Sequence, residues 1–367
     1  MGIKKRILYC VLKFLSIFLS FVKQRNNRIT FISLTEDHLE GDFLLIANEL
    51  RKNHKDIEIK TVLTKFKPNI IGNFLYFFNC IEQLFVISSS KVVFINDNNY
   101  VISNFKCQNV KVIQIWHACG ALKKFGNEIK REYPIKNYDY IISTSDVWKP
   151  VYAKSFGVLE NQVLSLGMAR TDALCRPKEI EKSKLAFFEH YPHLKNKYII
   201  LYAPTFRGNI IKGFSYVDLQ VDQILKQLPD ECVILYKMHP LLGDVVLGHS
   251  PRCMDMNDEN LYTLMAVSDC LVSDYSSIVL DYSLLGKKMV LYVPDYNEYN
   301  DEIGVNLNLS EIPGEICYSE VELIEELKQR ETEFSDEMLS FKHKFFKYTD
   351  GNSAFRISEF AYSIVLK

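Results

Sequence analysis

A histidine and two lysines follow a strand-like run in the stretch Ile113-Gln-Ile-Trp-His-Ala-Cys-Gly-Ala-Leu-Lys-Lys-Phe-Gly126. The β-rich residues 110–116 predict a strand, so His117 lies where that strand gives way to a loop. In α/β proteins, ligands bind at this edge of the sheet. An imidazole there can take a proton from a hydroxyl, Gly120 allows a ligand close to the backbone, and Lys123 could hold an anion. A buried histidine at a strand end is the alternative interpretation.

Two further residues with chemistry follow predicted strands in the second half of the chain. Arg207 lies in the loop after Pro204, which stops a strand, and an arginine can hold a phosphate through two parallel hydrogen bonds. His239 directly follows the next strand, and Pro240 restricts its backbone. Each has a plainer interpretation, as a solvated loop arginine and as a structural histidine.

The stretch Leu271-Val-Ser-Asp-Tyr-Ser-Ser-Ile278 predicts a short apolar strand that leads into a helix beginning near Ser276. The free N–H groups and positive dipole of a helix start favour an anion, and the hydroxyls of Ser276 and Ser277 would add donors. An N-cap with a structural role alone is the alternative. The doubled serine favours phosphate binding.

Strand-like and helical runs alternate along the chain, which predicts parallel sheets with helices on both faces. A length of 367 residues favours two such Rossmann-like domains, which would face each other across a central cleft. No GxGxxG follows the first strand, which argues against a dinucleotide dehydrogenase. The predicted segments are an N-terminal helix over 1–27, a first domain over 28–175, a connection over 176–196, a second domain over 197–335 and closing helices over 336–367.

The composition is that of a folded protein, with 48% apolar and 24% charged residues. A net charge of −1 provides no general attraction for nucleic acid, so we expect no nucleic-acid partner. The nine cysteines include no CxxC pair, which argues against structural zinc and favours reduced thiols in the cytoplasm. We therefore predict no metal and no cofactor. Cys119, close to His117, is an alternative thiol nucleophile that nothing else in the sequence supports.

The N-terminus combines an apolar run, residues 7–22, with cations on both sides. As a helix this run spans about 24 Å, which is short of the ~30 Å hydrocarbon core of a bilayer. The residues after it do not form a signal-peptide cleavage site. We predict an amphipathic helix that lies in the interface of an anionic membrane. A core helix of the first domain is the alternative.

Several motifs, in this order, resemble those of the CDP-glycerol glycerophosphotransferase family, the polymerases and primases of teichoic acids and related capsules. The His-Ala-x-Gly-Ala form is more similar to the polymerising members. The motifs are Trp116-His-Ala-x-Gly-Ala-x-Lys-Lys-Phe-Gly126, Tyr202-Ala-Pro-Thr-Phe-Arg207, Lys237-Met-His-Pro240, Ser273-Asp-Tyr-Ser-Ser277, Pro313-Gly314 and Asp350-Gly-Asn-Ser353.

The resemblance implies a GT-B-like fold, with an acceptor-side first domain and a donor-binding second domain. It also implies transfer of glycerol phosphate or ribitol phosphate from a CDP-polyol to a hydroxyl on a lipid-linked glycan or polyol-phosphate chain, with release of CMP. Such an enzyme would act at the cytoplasmic face of the membrane as a peripheral protein. By resemblance His117 is the catalytic base. The implied donor-binding residues are Arg207, His239, Asp274, Ser276 and Ser277, and the candidate anion or acceptor contacts are Gly120, Lys123 and Lys237.

Two departures from the family pattern concern substrate preference. The stretch Tyr299-Asn-Asp-Glu-Ile-Gly304 lacks the arginine that usually precedes the glycine, and the first hundred residues carry no family motif. We expect those first residues to shape acceptor or membrane contacts. The sequence leaves open the choice between glycerol and ribitol, priming or polymerising activity, and the oligomeric state. Two other functions also remain: a GT-B nucleotide-sugar glycosyltransferase of surface polysaccharides, and a membrane-attached nucleotide-binding module without catalysis.

Overall fold

The chain forms two compact α/β units in a computed structural model that describes residues 3–209, 213–239, 242–243, 245–302, 304–330 and 336–367. The first unit contains the residues up to Ala118, Lys124–Asp172 and Phe346–Lys367. The second contains Cys119–Lys123 and Ala173–Phe345. The predicted closing segment, 336–367, is thus divided between the two units.

The first unit is built on a six-stranded parallel sheet with the strand order β2-β1-β3-β4-β5-β6. Its strands are rich in β-branched and aromatic residues and largely buried, as expected for a parallel sheet covered on both faces. The strands are β1 (Arg28–Ser33), β2 (Glu58–Leu63), β3 (Val92–Ile95), β4 (Lys111–Gln114), β5 (Tyr140–Ser143) and β6 (Val163–Ser165). The first helices are α1 (Ile3–Ser16), α2 (Gly41–Asn53), α3 (Ile70–Ser88), α4 (Tyr100–Phe105) and α5 (Lys149–Phe156).

The second unit repeats this plan with a six-stranded parallel sheet of order β11-β10-β7-β12-β13-β14. A separate antiparallel pair, formed by β8 and β9, follows β7 in the chain. The strands are β7 (Tyr198–Tyr202), β8 (Arg207–Asn209), β9 (Gly213–Ser215), β10 (Cys232–Tyr236), β11 (Cys253–Asp255), β12 (Cys270–Ser273), β13 (Lys288–Tyr292) and β14 (Glu315–Cys317). The helices are α6 (Pro177–His190), α7 (Val221–Gln227), α8 (Leu261–Val267), α9 (Ile278–Ser283), α10 (Tyr296–Glu302), α11 (Glu320–Lys328) and α12 (Asp336–Phe345).

The last helix, α13 (Ser353–Val365), returns to the first unit and packs on α2. Its start is fixed by Asp172, which accepts hydrogen bonds from the backbone N–H groups of Ser353 and Ala354, both at 2.9 Å. Because these N–H groups have no partner inside the helix, the carboxylate satisfies two of them. The Asp350-Gly-Asn-Ser353 motif therefore anchors a helix here.

Two element boundaries near candidate site residues differ from prediction. The strand predicted over 110–116 ends at Gln114, because Trp116 adopts a left-handed backbone, φ 56°, that a strand does not accommodate. The helix predicted to begin near Ser276 begins at Ile278, with Ser277 as its N-cap residue, and spans six residues. The helix therefore begins two residues later than predicted, and Ser276 and Ser277 belong to the preceding turn.

Two N-terminal helices of the first unit leave apolar side chains in solvent. Helix α1 buries Leu8 and Leu12 and packs against α3, whereas its Phe14 is exposed, as is Phe18 in the 3-10 helix Ile17–Phe21 that follows it. Among the described residues, α3 is the one helix whose length and apolar composition would suffice to cross a membrane. One of its sides packs on the first sheet.

Candidate active site

His117 lies in the loop after β4, exposed at the carboxyl edge of the first sheet. Its Nδ1 is 3.2 Å from the backbone carbonyl oxygen of Asn96, which follows β3. A carbonyl only accepts hydrogen bonds, so Nδ1 carries the proton in the neutral ring and Nε2 carries the lone pair. This tautomer is the one a general base requires at Nε2.

The backbone around His117 is held in a strained turn. Trp116 has φ 56°, and its indole is 3.8 Å from the imidazole, centroid to centroid. The indole also stacks on Phe125, with centroids 4.8 Å apart. A left-handed bulky residue costs about 1–3 kcal/mol and persists where surrounding packing enforces it. The strain therefore fixes the direction in which His117 leaves the strand.

Arg170 ties this turn to α2. Its Nη1 donates to the carbonyl oxygen of His117 at 3.2 Å, and its side chain forms an ion pair with Asp42. The backbone N–H of Arg170 also donates to Asp42, at 2.7 Å. Because Asp42 is buried, the ion pair between Arg170 and Asp42 is shielded from solvent. It holds the His117 turn and the segment around Arg170 against α2.

The side chain of Asn96, whose backbone carbonyl contacts His117, is hydrogen-bonded to a carboxyl group. Glu36, in the loop after β1, accepts a hydrogen bond from Nδ2 of Asn96 at 2.7 Å. Burial raises the pKa of Glu36 to about 7, with further increases from Glu40 and Asp42 that outweigh the opposite effect of Arg170. The sequence analysis did not single out this residue.

In the second unit, Arg207 is clamped by two carboxylates. Its Nε and Nη2 bind the two oxygens of Asp295, at 2.6 and 3.1 Å, and its Nη1 binds Asp274 at 2.9 Å. The Nη1 group also donates to the carbonyl of Thr205 at 2.9 Å. These hydrogen bonds outweigh burial and hold the pKa of Asp295 below its ordinary value. The guanidinium is thus fixed in one orientation, with one N–H of Nη2 left over among the described contacts.

Aromatic rings pack against the guanidinium. Tyr275 and Tyr299 stack on each other with centroids 3.8 Å apart, and the Arg207 guanidinium carbon is 5.0 and 4.8 Å from their centroids. Tyr275 also donates to Asp295 at 3.1 Å. Tyr299 belongs to the stretch that departs from the family pattern, so that stretch still contributes to the arginine's surroundings.

Lys123 brings a second cation to the same unit. Its Nζ lies 4.9 Å from the centroid of Phe206, next to Arg207 in the chain. Burial lowers the pKa of Lys123, and Arg207 lowers it further, while Asp274 opposes the change. Among the described residues no carboxylate forms an ion pair with Lys123. The ring of His239 packs on the same Phe206, with centroids 4.7 Å apart.

The other predicted site residues have these positions. Asp274 is buried and also accepts the backbone N–H of Thr205 at 2.8 Å, so it holds Arg207 and its loop. Lys237 donates to the carbonyls of Asn257 and Glu259, both at 2.7 Å, and burial lowers its pKa. Ser276 and Ser277 are half-buried, and Gly120 is buried in the segment Cys119–Lys123. Pro240 lies outside the described residues.

The structure thus joins Arg207, Asp274, Lys123 and, through Phe206, His239 in one cluster of the second unit. His117 belongs to the first unit. Sequence reasoning missed Asp295, although its place in the short loop after β13 is a usable signal. The described residues contain no group of three or more His, Cys, Asp or Glu that could hold a metal ion.

Comparison with protein families identifies the chain. The model of the CDP-glycerol:poly(glycerophosphate) glycerophosphotransferases matches residues 14–363. The chain belongs to this family. The motifs quoted for the resemblance all lie within the matched residues of this glycerophosphotransferase-family member.

Known relatives cover the chain from end to end. The teichoic acid glycerol-phosphate primase of Bacillus subtilis (strain 168) is 30% identical over 100% of both chains. The teichoic acid ribitol-phosphate primase of Bacillus spizizenii is 29% identical, over 93% of this chain and 92% of its own. A solved structure of the wall teichoic acid polymerase TagF has a TM-score of 0.75 at 22% identity, over 94% of this chain and 90% of that one. The family member therefore has the GT-B-like fold of this polymerase, as the resemblance implied.

Proposed function

We propose that the chain transfers glycerol phosphate or ribitol phosphate from a CDP-polyol to a hydroxyl of a lipid-linked glycan or polyol-phosphate chain, for a teichoic acid or capsular polymer. Transfer of polyol phosphate is the reaction of its family. The observation that carries the proposal is that Lys123, which has no ion pair among the described residues, lies beside a rigidly held Arg207, in a family member that also places His117 at a sheet edge. Relatives that match more than nine-tenths of the chain include both a glycerol-phosphate primase, over 100% of it, and a ribitol-phosphate primase, over 93%.

The reaction needs a base for the acceptor hydroxyl. Nε2 of His117 takes the hydroxyl proton while the oxygen attacks the β-phosphorus of the donor. A new phosphorus–oxygen bond forms, and the bond between the β-phosphorus and the bridging oxygen breaks. That oxygen leaves with CMP. The Nδ1–H bond to the carbonyl of Asn96 supports the imidazolium that forms.

The donor's diphosphate needs fixed positive charge. Lys123 is a half-buried cation with no ion pair among the described residues, and the anion that would compensate it is a phosphate of the donor. Arg207, whose charge is balanced by its two carboxylates, adds its remaining N–H as a hydrogen-bond donor. Its two carboxylates and the stacked tyrosines hold it in place before the donor arrives, so no side-chain ordering opposes binding.

CMP release by the purified chain tests the proposal. CDP-glycerol, CDP-ribitol and UDP-N-acetylglucosamine are supplied in turn, each with a lipid-linked glycan or a soluble glycerol phosphate oligomer. We expect release with a CDP-polyol and its loss in His117→Ala, while donor binding survives. His190→Ala, an exposed histidine at the end of α6, is the matched control. UDP release from the sugar nucleotide alone would identify a glycosyltransferase, and donor binding without turnover would identify a binding module.

Contact with an anionic membrane surface is the second part of the proposal. Helices α1 and α3 pack against each other. Both helices, together with the 3-10 helix Ile17–Phe21 that follows α1, expose large apolar residues, which we call the apolar surface. Cations that are exposed nearby in the chain, such as Lys13 and Lys65, suit anionic headgroups. The apolar surface consists of Phe14, Ile17, Phe18, Phe21, Ile70, Ile71, Phe74, Leu75 and Phe78.

The buried side of α3 carries polar contacts, which favour a helix that lies on the membrane over one that crosses it. Asn79 donates to Thr64 at 3.0 Å, and Gln83 donates to Asn79 at 2.6 Å. Asn99 in turn donates to Gln83 at 2.8 Å. These buried amides bond α3 to its own unit, and a helix that crossed a bilayer alone would lose those partners.

Sedimentation with vesicles tests the membrane part separately. We expect the double variant Phe74→Ser/Phe78→Ser to bind vesicles containing phosphatidylglycerol much more weakly than the unaltered chain does. Leu185→Ser and Val321→Ser, which remove exposed apolar residues elsewhere, are the controls. Equal sedimentation of all variants would refute this surface, whereas binding to neutral vesicles as well would refute the electrostatic component.

A further inference from the structure

Two buried oxygens near the carbonyl that contacts His117 lack hydrogen-bond donors among the residues that the structure describes. Oε2 of Glu36 and Oδ1 of Asn96 are both inaccessible to solvent, and neither has a partner in that part of the chain. Asn96 itself is 5% exposed. Its Nδ2 donates to Oε1 of Glu36 at 2.7 Å, so the amide and carboxyl groups are already joined on one side. An unpaired buried acceptor is costly, and two neighbouring ones call for a common explanation.

One proton accounts for both oxygens. If Oε2 of Glu36 is protonated, the carboxyl group can donate to Oδ1 while Oε1 accepts from Nδ2. This is the cyclic pair that carboxylic acids form with primary amides, and it uses one donor and one acceptor from each group. We propose that Glu36 is the protonated member of a carboxylic acid–amide pair with Asn96, and that this pair positions the imidazole of His117.

The connection to His117 runs through the backbone of the same asparagine. The carbonyl oxygen of Asn96 is the atom that His117 Nδ1 contacts, at 3.2 Å. A side-chain amide held on both of its polar atoms fixes the Asn96 residue, and with it the carbonyl that selects the tautomer and direction of the ring. Glu36 is therefore a positioning residue that acts through Asn96.

The charges around Glu36 favour the protonated form. Glu40 from the same loop and Asp42 from α2 are negative, and both raise its pKa. Arg170, which follows β6, acts in the opposite direction but is neutralised by its ion pair with Asp42. Asp37 and His38 of the loop pair with each other at 2.7 Å. Loss of the proton above neutral pH would leave two oxygens without donors, and the Asn96 side chain would then be held through Nδ2 alone.

The substitution Glu36→Gln tests whether Glu36 is protonated or ionised. In Glu36→Gln the new amide can donate to Oδ1 of Asn96 and accept from Nδ2, so it reproduces the protonated acid permanently. The proposal rests on the function of His117 proposed above. We expect Glu36→Gln to keep kcat within about twofold at pH 7 and to lose any decline of kcat that sets in as pH rises above neutral. Glu36→Ala should lower kcat about tenfold or more with an unchanged KM for the CDP-polyol, because a buried hydrogen-bond partner is lost.

Two further measurements and a control variant complete the test. Infrared difference spectra of the full chain between pH 6 and pH 9 should show the band of a protonated carboxyl group that Glu36→Gln lacks. Glu40→Gln, an exposed carboxylate of the same loop, should retain the band and the kcat of the unaltered chain. Melting temperatures of all variants identify any that fail to fold, and Asn96→Ser then replaces Glu36→Ala.

Each outcome decides a part of the proposal. If Glu36→Gln loses as much activity as Glu36→Ala, an ionised carboxylate is required and the pair is refuted. If no variant changes kcat or its pH profile, the positioning role is refuted. An unaltered chain that binds donor without transfer to any acceptor refutes the proposed function and the positioning role together, and the infrared band then decides the pair alone.

Discussion

Glu36→Gln should make the protein more stable at alkaline pH. The folded chain holds a proton on Glu36 up to about pH 7, whereas a glutamate in an unfolded chain loses it near its ordinary pKa of 4.5. Between these values the folded state binds more protons, so the free energy of unfolding falls as pH rises through this window. Glutamine cannot ionise, and the variant therefore escapes that loss.

The size of the effect follows from the pKa. A pKa raised from 4.5 to about 7 corresponds to at most about 3.4 kcal/mol, since each pKa unit is worth about 1.36 kcal/mol. Glu36 is only half-buried, and solvent screening reduces this to about 1–2 kcal/mol. The gain should be nearly complete at pH 8. At pH 5 it should be about a quarter as large, because the unfolded chain is then already mostly ionised.

Urea unfolding at pH 5 and pH 8 measures this gain, with circular dichroism and tryptophan fluorescence as probes. Both tryptophans, Trp116 and Trp148, belong to the first unit, so fluorescence follows the unit that contains Glu36. Glu40→Gln should change the free energy of unfolding by less than about 0.5 kcal/mol at either pH. An equal gain at both pH values, or none at pH 8, would contradict a protonated Glu36.

Three other substitutions test the structure elsewhere. Lys123→Met should raise the KM for the CDP-polyol about tenfold or more in steady-state kinetics, because a charged contact to phosphate is lost. Lys123→Arg should restore part of the lost affinity. Equal KM values for the variants and the unaltered chain would show that Lys123 is not part of the donor site. Asp172→Ala should lower the free energy of unfolding by about 1–2 kcal/mol in urea, since two N–H groups at the start of α13 lose their acceptor. Gly167→Ala should cost about 2 kcal/mol or more in the same assay, because a Cβ would lie 2.2 Å from Oγ of Ser353 at φ 95°. A neutral result for either would show that the start of α13 adapts.

Alternation of strands and helices was enough to predict two parallel sheets and to place His117 after a strand, whereas Arg207, which was expected in a loop, begins β8. The partners of these residues were harder to predict. Glu36 lies among exposed polar residues of a loop, and only the fold brings it to Asn96, which is sixty residues later in the chain. Asp295 meets Arg207 in the same way, across neighbouring elements. Local patterns identify residues that end strands, whereas long-range pairing depends on strand order.

The turn around Trp116 was outside the reach of sequence patterns for another reason. Residues 110–116 are uniformly β-forming, so local preference predicts that the strand continues. Packing of the indole between His117 and Phe125, together with the hydrogen bond from its backbone N–H to Gln114, selects the left-handed conformation instead. Tertiary contacts therefore override local preference at the residue before the proposed base.

That packing also makes the indole a spectroscopic reporter. A protonated imidazole quenches an indole in contact with it more strongly than a neutral one does, and the rings of Trp116 and His117 are 3.8 Å apart. Because the chain has only two tryptophans, Trp148→Phe leaves a single emitter beside the proposed base. Its emission, followed against pH with and without a CDP-polyol, would record the charge of His117 without any label.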